Sequence, residues 1–252
     1  MKHLILAATA ALVAPFTQAA GLVQWQDNSL SYLYGQDFEV NPEIQQTITY
    51  EHVSGWSVGD LFFFTDYTMY NGEKDFYNGE SAYYGEFSPR FSFGKIFDKD
   101  LSFGIVQDVL VATTYEFGEG DVESYLVGAG LDLALPGFDF FQLNAYQRLP
   151  ENGDGDTIQI TPVWKMTFPV GNSAIVFDGF IDWVVTSDGT YEKNFHFNPQ
   201  IKYDAGVHFG LRERSLLMGV EYDYWKNKYG IKDSSAFKTD QSVVNLLVKY
   251  HF

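Results

Sequence analysis

The stretch from Val243 to Phe252 constrains the fold more than any other part of the chain. Val244, Leu246, Val248, Tyr250 and Phe252 fall on every second position, with Asn245, Lys249 and His251 among the residues between them. Side chains of an extended chain alternate between faces, so one face of this strand is apolar up to a terminal aromatic and the other carries polar groups. Lipid on one side and water on the other accounts for the pattern, and it is how an outer-membrane barrel ends. A half-buried strand of a soluble sandwich would alternate in the same way, so the rest of the chain must separate the two readings.

The N-terminus separates them. Met1-Lys2-His3, an apolar run from Leu4 to Phe16, and Thr17-Gln18-Ala19-Ala20 supply the charged, apolar and small-residue parts of a secretory signal. We expect a signal peptide over residues 1–19, cleaved after Ala19 or after Ala20, and a transmembrane β-barrel over residues 20–252. A spanning helix needs about 20 apolar residues in a row, more than this run or any other stretch provides. An exported chain without such a helix belongs to the periplasm, the outside or a barrel.

Composition favours the barrel. The chain holds 23 Phe and 17 Tyr, and aromatics make up 18% of it, yet the mean hydropathy is only -0.15. Strands that are half lipid-facing and half polar give this combination. The formal charge of -17 argues against nucleic acid or anionic phosphate as the main partner. With no cysteine there is no disulfide framework, thiol chemistry or thiolate metal site.

Strand-like segments run Asn28 to Tyr34, Ile44 to Val53, Ser57 to Met69, Ser81 to Phe93, Leu101 to Phe117 and Glu123 to Leu135. The second half continues with Phe138 to Leu149, Thr157 to Phe168, Ala174 to Thr186, Asn198 to Phe209, Leu216 to Lys226 and Gln241 to Phe252. We therefore expect an all-β, antiparallel, up-and-down barrel of about twelve strands, monomeric, with both ends in the periplasm. Ser54-Gly55, Leu135-Pro136-Gly137, Pro169-Val170-Gly171-Asn172 and Gly210 to Arg214 read as compact periplasmic turns. Asn71 to Glu80, Glu151 to Asp156, Ser187 to Phe197 and Asn227 to Asp240 read as longer external loops. Pro89 and Pro162 fall inside strands, where a missing N–H predicts bulges or local distortion.

Parity then assigns the lumen. In the third strand Leu61, Phe63, Thr65 and Tyr67 share one face and Asp60, Phe62, Phe64 and Asp66 the other; charges face lipid only at high cost, so the second set points inward. In the ninth, Phe177, Ile181, Trp183 and Val185 point out and Asp178, Phe180 and Asp182 in. The eighth gives Ile158, Ile160, Trp164 and Phe168 out against Gln159, Thr161 and Lys165 in. The same rule places Glu86, Arg90, Asp108, Arg148, Lys202, Asp204, Glu221 and Asp223 inward. Such charges brace any narrow barrel through ion pairs and hydrogen bonds. Inward rings are harder to explain that way, and Phe62, Phe64, Phe138, Phe140 and Phe180 are expected to point into the lumen. A phenyl ring can stack on a flat base while neighbouring carboxylates accept hydrogen bonds from sugar hydroxyls.

At Glu86-Phe87-Ser88-Pro89-Arg90-Phe91-Ser92, followed by Asp100-Leu101-Ser102-Phe103-Gly104, the chain resembles the Tsx-type nucleoside-specific channel family of Gram-negative outer membranes, OmpK-like receptors included. The pattern E-x-x-P-R-x-S then D-L-S-F-G carries the likeness, supported by the signal and the aromatic terminus. Trp25 stands where related channels have a tryptophan-rich first strand. The resemblance implies a narrow monomeric barrel that passes nucleosides and similar small polar solutes by diffusion. It also implies service as a phage or colicin receptor, and structural roles for Glu86, Pro89, Arg90 and Asp100 to Gly104.

Enzymatic readings have little support. His52, His196, His208 and His251 remain after the signal, and none sits in a nucleophile motif. His52 and His251 are expected near periplasmic strand ends and His196 in a loop. No spacing suggests zinc, and Glu151-Asn152-Gly153-Asp154-Gly155-Asp156 lacks a full calcium-loop pattern. The expectation is a non-enzymatic channel without cofactor or metal. Its surroundings would be outer-membrane lipid and lipopolysaccharide, with Phe252 read by the barrel-assembly machinery. The competing expectation is a structural or receptor barrel whose lumen is plugged by its own side chains.

Overall fold

The structure, a computed structural model, describes residues 21–120 and 122–252. The expected signal peptide and both candidate cleavage points lie outside the described residues. Twelve strands follow one another among the described residues. They are β1 (Val23–Gly35), β2 (Gln45–Trp56), β3 (Gly59–Met69), β4 (Ser81–Ser92), β5 (Val106–Gly118), β6 (Val122–Leu133), β7 (Phe140–Pro150), β8 (Thr157–Val170), β9 (Ser173–Val184), β10 (Asn194–Asp204), β11 (Leu216–Lys226) and β12 (Gln241–His251). Each pairs antiparallel with the next, and β12 returns to β1 through pairs such as Leu30 with Tyr250 and Tyr34 with Leu246. Closure leaves no strand edge unpaired, which a sheet in lipid requires.

Alternation decides what each face meets. On β12 Val244 and Leu246 are more than 60% exposed, while Val243, Asn245 and Leu247 between them are 2–3% exposed. Tyr83, Phe87 and Phe91 on β4, Trp183 on β9 and Ile201 on β10 continue the exposed apolar surface around the barrel. A soluble protein rarely shows a continuous patch of that kind. Lipid is the solvent it fits.

Several expected boundaries move. Ser54 and Gly55 belong to β2, and the turn after it is Ser57-Val58. The strand expected from Leu101 starts at Val106, because residues 93–105 hold a short helix, α1 (Phe93–Phe97), and a turn. Ser92 caps the helix by accepting from Lys95 N at 3.0 Å, and Asp98 ends it in a left-handed conformation. Asp100 Oδ1 then accepts from Ser102 N at 2.9 Å, and Phe103 pairs with Val106. A single helical turn is too short for an alternation pattern to reveal. The strand expected from Asn198 begins at Asn194 and stops at Asp204, after which a 3-10 turn covers Gly206–Phe209.

The strand prolines distort the ladder without shifting it. Pro89 stays in register with Leu61 on β3, while the β4–β5 pairing skips from Phe87 with Tyr115 to Arg90 with Ala112. Pro162 behaves alike, pairing with Leu143 on one side and leaving a gap toward β9. The bulges occur instead at Val23/Trp25 and Val106/Asp108, near the periplasmic ends. The missing N–H costs a hydrogen bond, whereas a bulge needs an extra residue, and these strands have none to spare.

Candidate functional site

The lumen wall is uneven. From the periplasmic half of β4 round to β8, most of the inward side chains are packed away from solvent. Leu110, Ala112, Leu126 and Tyr146 are buried, and so are the polar Arg90, Glu116, Asn144 and Gln159. Across β3 and β9, which lie six strands apart and therefore opposite, water reaches the wall. Asp60, Phe64, Asp66, Asp178, Phe180 and Asp182 are half-buried, and Phe62 is 36% exposed.

Ion pairs are found in both parts of the wall. Arg90 is clamped by Asp60 on β3, through Nε at 2.9 Å and Nη2 at 2.7 Å, and by Asp132 on β6 at 2.9 Å. Arg148 on β7 donates both terminal nitrogens to Glu116 on β5 at 2.6–2.7 Å and also reaches Gln159 on β8 at 2.7 Å. Lys202 on β10 donates to Asp178 at 2.6 and 2.8 Å and to Gln200 at 2.6 Å, and Lys249 on β12 pairs with Glu51 on β2. Charge-assisted bonds of this kind tie neighbouring strands and narrow the bore.

Other acids take only neutral donors. Thr49 donates to Asp66 at 2.5 Å, and Tyr84 to Glu86 at 2.9 Å. Gln159 and Thr161 donate to Asp182 at 2.8 and 2.7 Å, and Gln200 and Asn245 to Glu221 at 2.7 and 3.0 Å. These carboxyl groups face the bore without a basic partner. The passage is therefore narrow and net acidic.

Rings accompany those acids. Phe62 and Phe64 stand 5.7 Å apart along β3, and Phe64 meets Tyr84 at 5.8 Å. Opposite them Phe180 sits edge-on to His196 at 5.0 Å, His196 stacks on Trp225 at 3.8 Å and 12°, and Trp225 meets Tyr229 at 5.6 Å. His196, expected in a loop, lies on β10 facing inward, 2.9 Å from Asp223. Parity applied to the strand that actually starts at Asn194 would have found it, and the same rule finds Trp225. Phe138 is another correction: it sits in the turn before β7 and packs against outward Phe141 at 5.4 Å. Phe140 does face in, opposite Lys165, at the periplasmic end.

Two inward acids serve the frame. Asp108 accepts from Val109 N at 2.8 Å beside α1. Asp204 accepts from Gly206 N and Arg214 N at 3.1 and 2.7 Å, which fixes the periplasmic turn after β10. In the external loops, Asp233 accepts from Thr239 N and Asp240 N at 2.9 and 3.2 Å, and those backbone bonds hold its carboxyl below the usual range. Burial pulls Lys228 down to about 8 against the opposing charges of Asp223 and Glu39.

A closed barrel with an apolar outer belt and a narrow, polar, water-reachable bore is an outer-membrane channel of the porin kind. Its family follows from the sequence: the chain belongs to the nucleoside-specific channel-forming proteins, Tsx, whose model matches residues 20–252. It is 29% identical over 181 residues to outer membrane protein OmpK of Vibrio parahaemolyticus, covering 69% of this chain and 66%, about two thirds, of that protein's length. OmpK of Vibrio parahaemolyticus serotype O3:K6 (strain RIMD 2210633) matches at 29% over 191 residues, covering 69% of this chain and 67% of that one. The fold is similar to that of KdgM porin, at a TM-score of 0.51 and 9% identity over 89% of this chain and 99% of that one.

Proposed function

We propose that the channel passes nucleosides and similar flat, hydroxyl-bearing neutral solutes by passive diffusion across the outer membrane. The observation that carries this reading is the composition of the wet wall: Phe62 and Phe64 on β3 stand opposite Phe180 on β9, with Asp66 and Asp182 on the same strands accepting only from neutral groups. A base slides between rings while Asp60, Asp66, Asp178 and Asp182 offer acceptors to ribose hydroxyls. Stacking of a base on an aromatic contributes roughly 1–3 kcal/mol in nucleic-acid sites. That guides a solute and still lets it leave, as conduction demands.

The same wall sets a charge preference. Inward acids outnumber inward bases, and a low-dielectric tube focuses their field, so neutral nucleosides enter and nucleotides are held back. Arg90, Arg148 and the dry packing behind them brace the barrel and do not touch the solute. The competing reading, a barrel plugged by its own side chains, gains from the buried half of the lumen, and single-channel recording separates the two. A conducting pore whose current is blocked by added nucleoside supports the proposal; a barrel that inserts and carries no current refutes it.

A further inference from the structure

The external mouth holds a cluster apart from the rings and acids of β3 and β9. Lys228, in the loop between β11 and β12, is 3% exposed although it lies outside every strand. Its Nζ donates to Gln241 Oε1 at 2.6 Å and to Glu39 O at 3.2 Å. The same ammonium lies 5.5 Å from the ring centre of Phe38 and 5.1 Å from that of Tyr229, within range of cation–π attraction.

Phe38 comes from the loop between β1 and β2 and has turned inward. It is 9% exposed, and a Cβ on inward-facing Gly35 would lie 2.9 Å from its ring and 1.9 Å from Asn245 Oδ1. Glu39 N donates to Gln241 Oε1 at 3.0 Å, so Gln241 holds both the loop backbone and the lysine. The backbone is bent hard to make this contact. Asp37 and Val40 in one loop and Asn227 and Tyr229 in the other have positive φ, 69°, 74°, 50° and 60°. For a β-branched residue such as Val40 that conformation is a true outlier, and strain of this kind persists only where the surroundings enforce it.

We infer that Lys228 is a specificity-determining positioning residue, which pins residues 36–44 across the external mouth so that Phe38 and Tyr229 form the constriction every solute must pass. A lysine, rather than an apolar residue, has a consequence of its own. It sets one positive charge at the entrance of an acidic bore, so the mouth discriminates by charge as well as by width. Tyr229 in turn touches Trp225, which connects the constriction to the ring line along the lumen.

The test uses the full-length channel in planar bilayers and liposomes, comparing wild type with Phe38→Ala and Lys228→Met. Phe38→Ala is expected to raise single-channel conductance about twofold and to admit larger neutral sugars in swelling assays, with reversal potential unchanged. Lys228→Met is expected to do the same and, in addition, to move the reversal potential toward stronger cation preference. A merely structural lysine would not produce that last shift. Nucleoside block should survive in both variants, since the rings on β3 and β9 are untouched. Unchanged conductance and sugar cut-off in Phe38→Ala overturn the inference, and this variant decides it even if Lys228→Met fails to assemble, because Phe38 belongs to no strand. Absence of nucleoside block in the wild type would refute the proposed solute and leave this comparison intact.

Discussion

On β5 to β8 most of the inward side chains are dry. Leu110, Ala112, Leu126 and Tyr146 fill the space, while Glu116 is bound by Arg148. On β3 and β9 the inward rings are reached by water, and Asp66 and Asp182 accept only from neutral groups. A wall that must hold its shape buries its polar groups in satisfied pairs, because a buried charge without a partner is expensive. A wall that meets solute leaves acceptors and ring faces free. Bracing and permeation are thus divided between two sides of one tube.

The largest expected effect comes from breaking the braced side. Arg90→Met strips one guanidinium from Asp60 and Asp132 together and should destabilise the barrel by roughly 3 kcal/mol, the low end for breaking a buried ion pair, since both acids keep some water contact. Denaturant unfolding in detergent would read this, and an unchanged midpoint would show that the clamp does not brace. Next comes the lipid face, where Val248→Arg should cost roughly 2–4 kcal/mol near mid-bilayer. If that variant inserted and unfolded like wild type, the assignment of outer and inner faces on β12 would be wrong.

Ring substitutions on the wet side should spare stability and change transport. Phe64→Ala or Phe180→Ala should weaken nucleoside block by the equivalent of about 1–3 kcal/mol of stacking, with ion conductance equal or larger. Retention of full block in both would return these rings to simple lumen packing. Reversal potentials in a salt gradient should show cation preference, and Asp178→Asn should reduce it, because Lys202 would then stand without its counter-charge. The smallest effect belongs to the exposed pair of Lys226 and Asp240. Lys226→Ala should leave both unfolding and conductance within error, since ion pairs in water contribute little.

Period-two alternation was enough to read the strand number, the outward belt of β12, and the inward set Asp60, Phe62, Phe64, Asp66, Asp178, Phe180 and Asp182. It rests on a local rule, that neighbouring side chains of an extended chain point to opposite sides. Where the chain is not extended the rule fails. It extended β5 back to Leu101 through the turn that follows the short helix, pointed Phe138 inward from a turn, and put His196 in a loop because the start of β10 was set late. Within the lumen, local pattern named the charges but not their pairing. That Arg90 reaches both Asp60 and Asp132, or that Lys249 meets Glu51, depends on register and closure, which bring together residues from strands far apart in sequence.

The alternation of the sequence by itself determined a membrane barrel with an acidic, ring-bearing interior, because burial in lipid acts on each residue separately. Tertiary structure alone decided which part of that interior is dry, which acids meet a basic partner, and which residues of distant loops come together. Lys228 and Glu39 lie 189 positions apart, and no local pattern marks them as partners. Only closure of the barrel places their loops over the same opening, where a buried ammonium must find acceptors and takes the Glu39 carbonyl of the other loop together with Gln241 of β12.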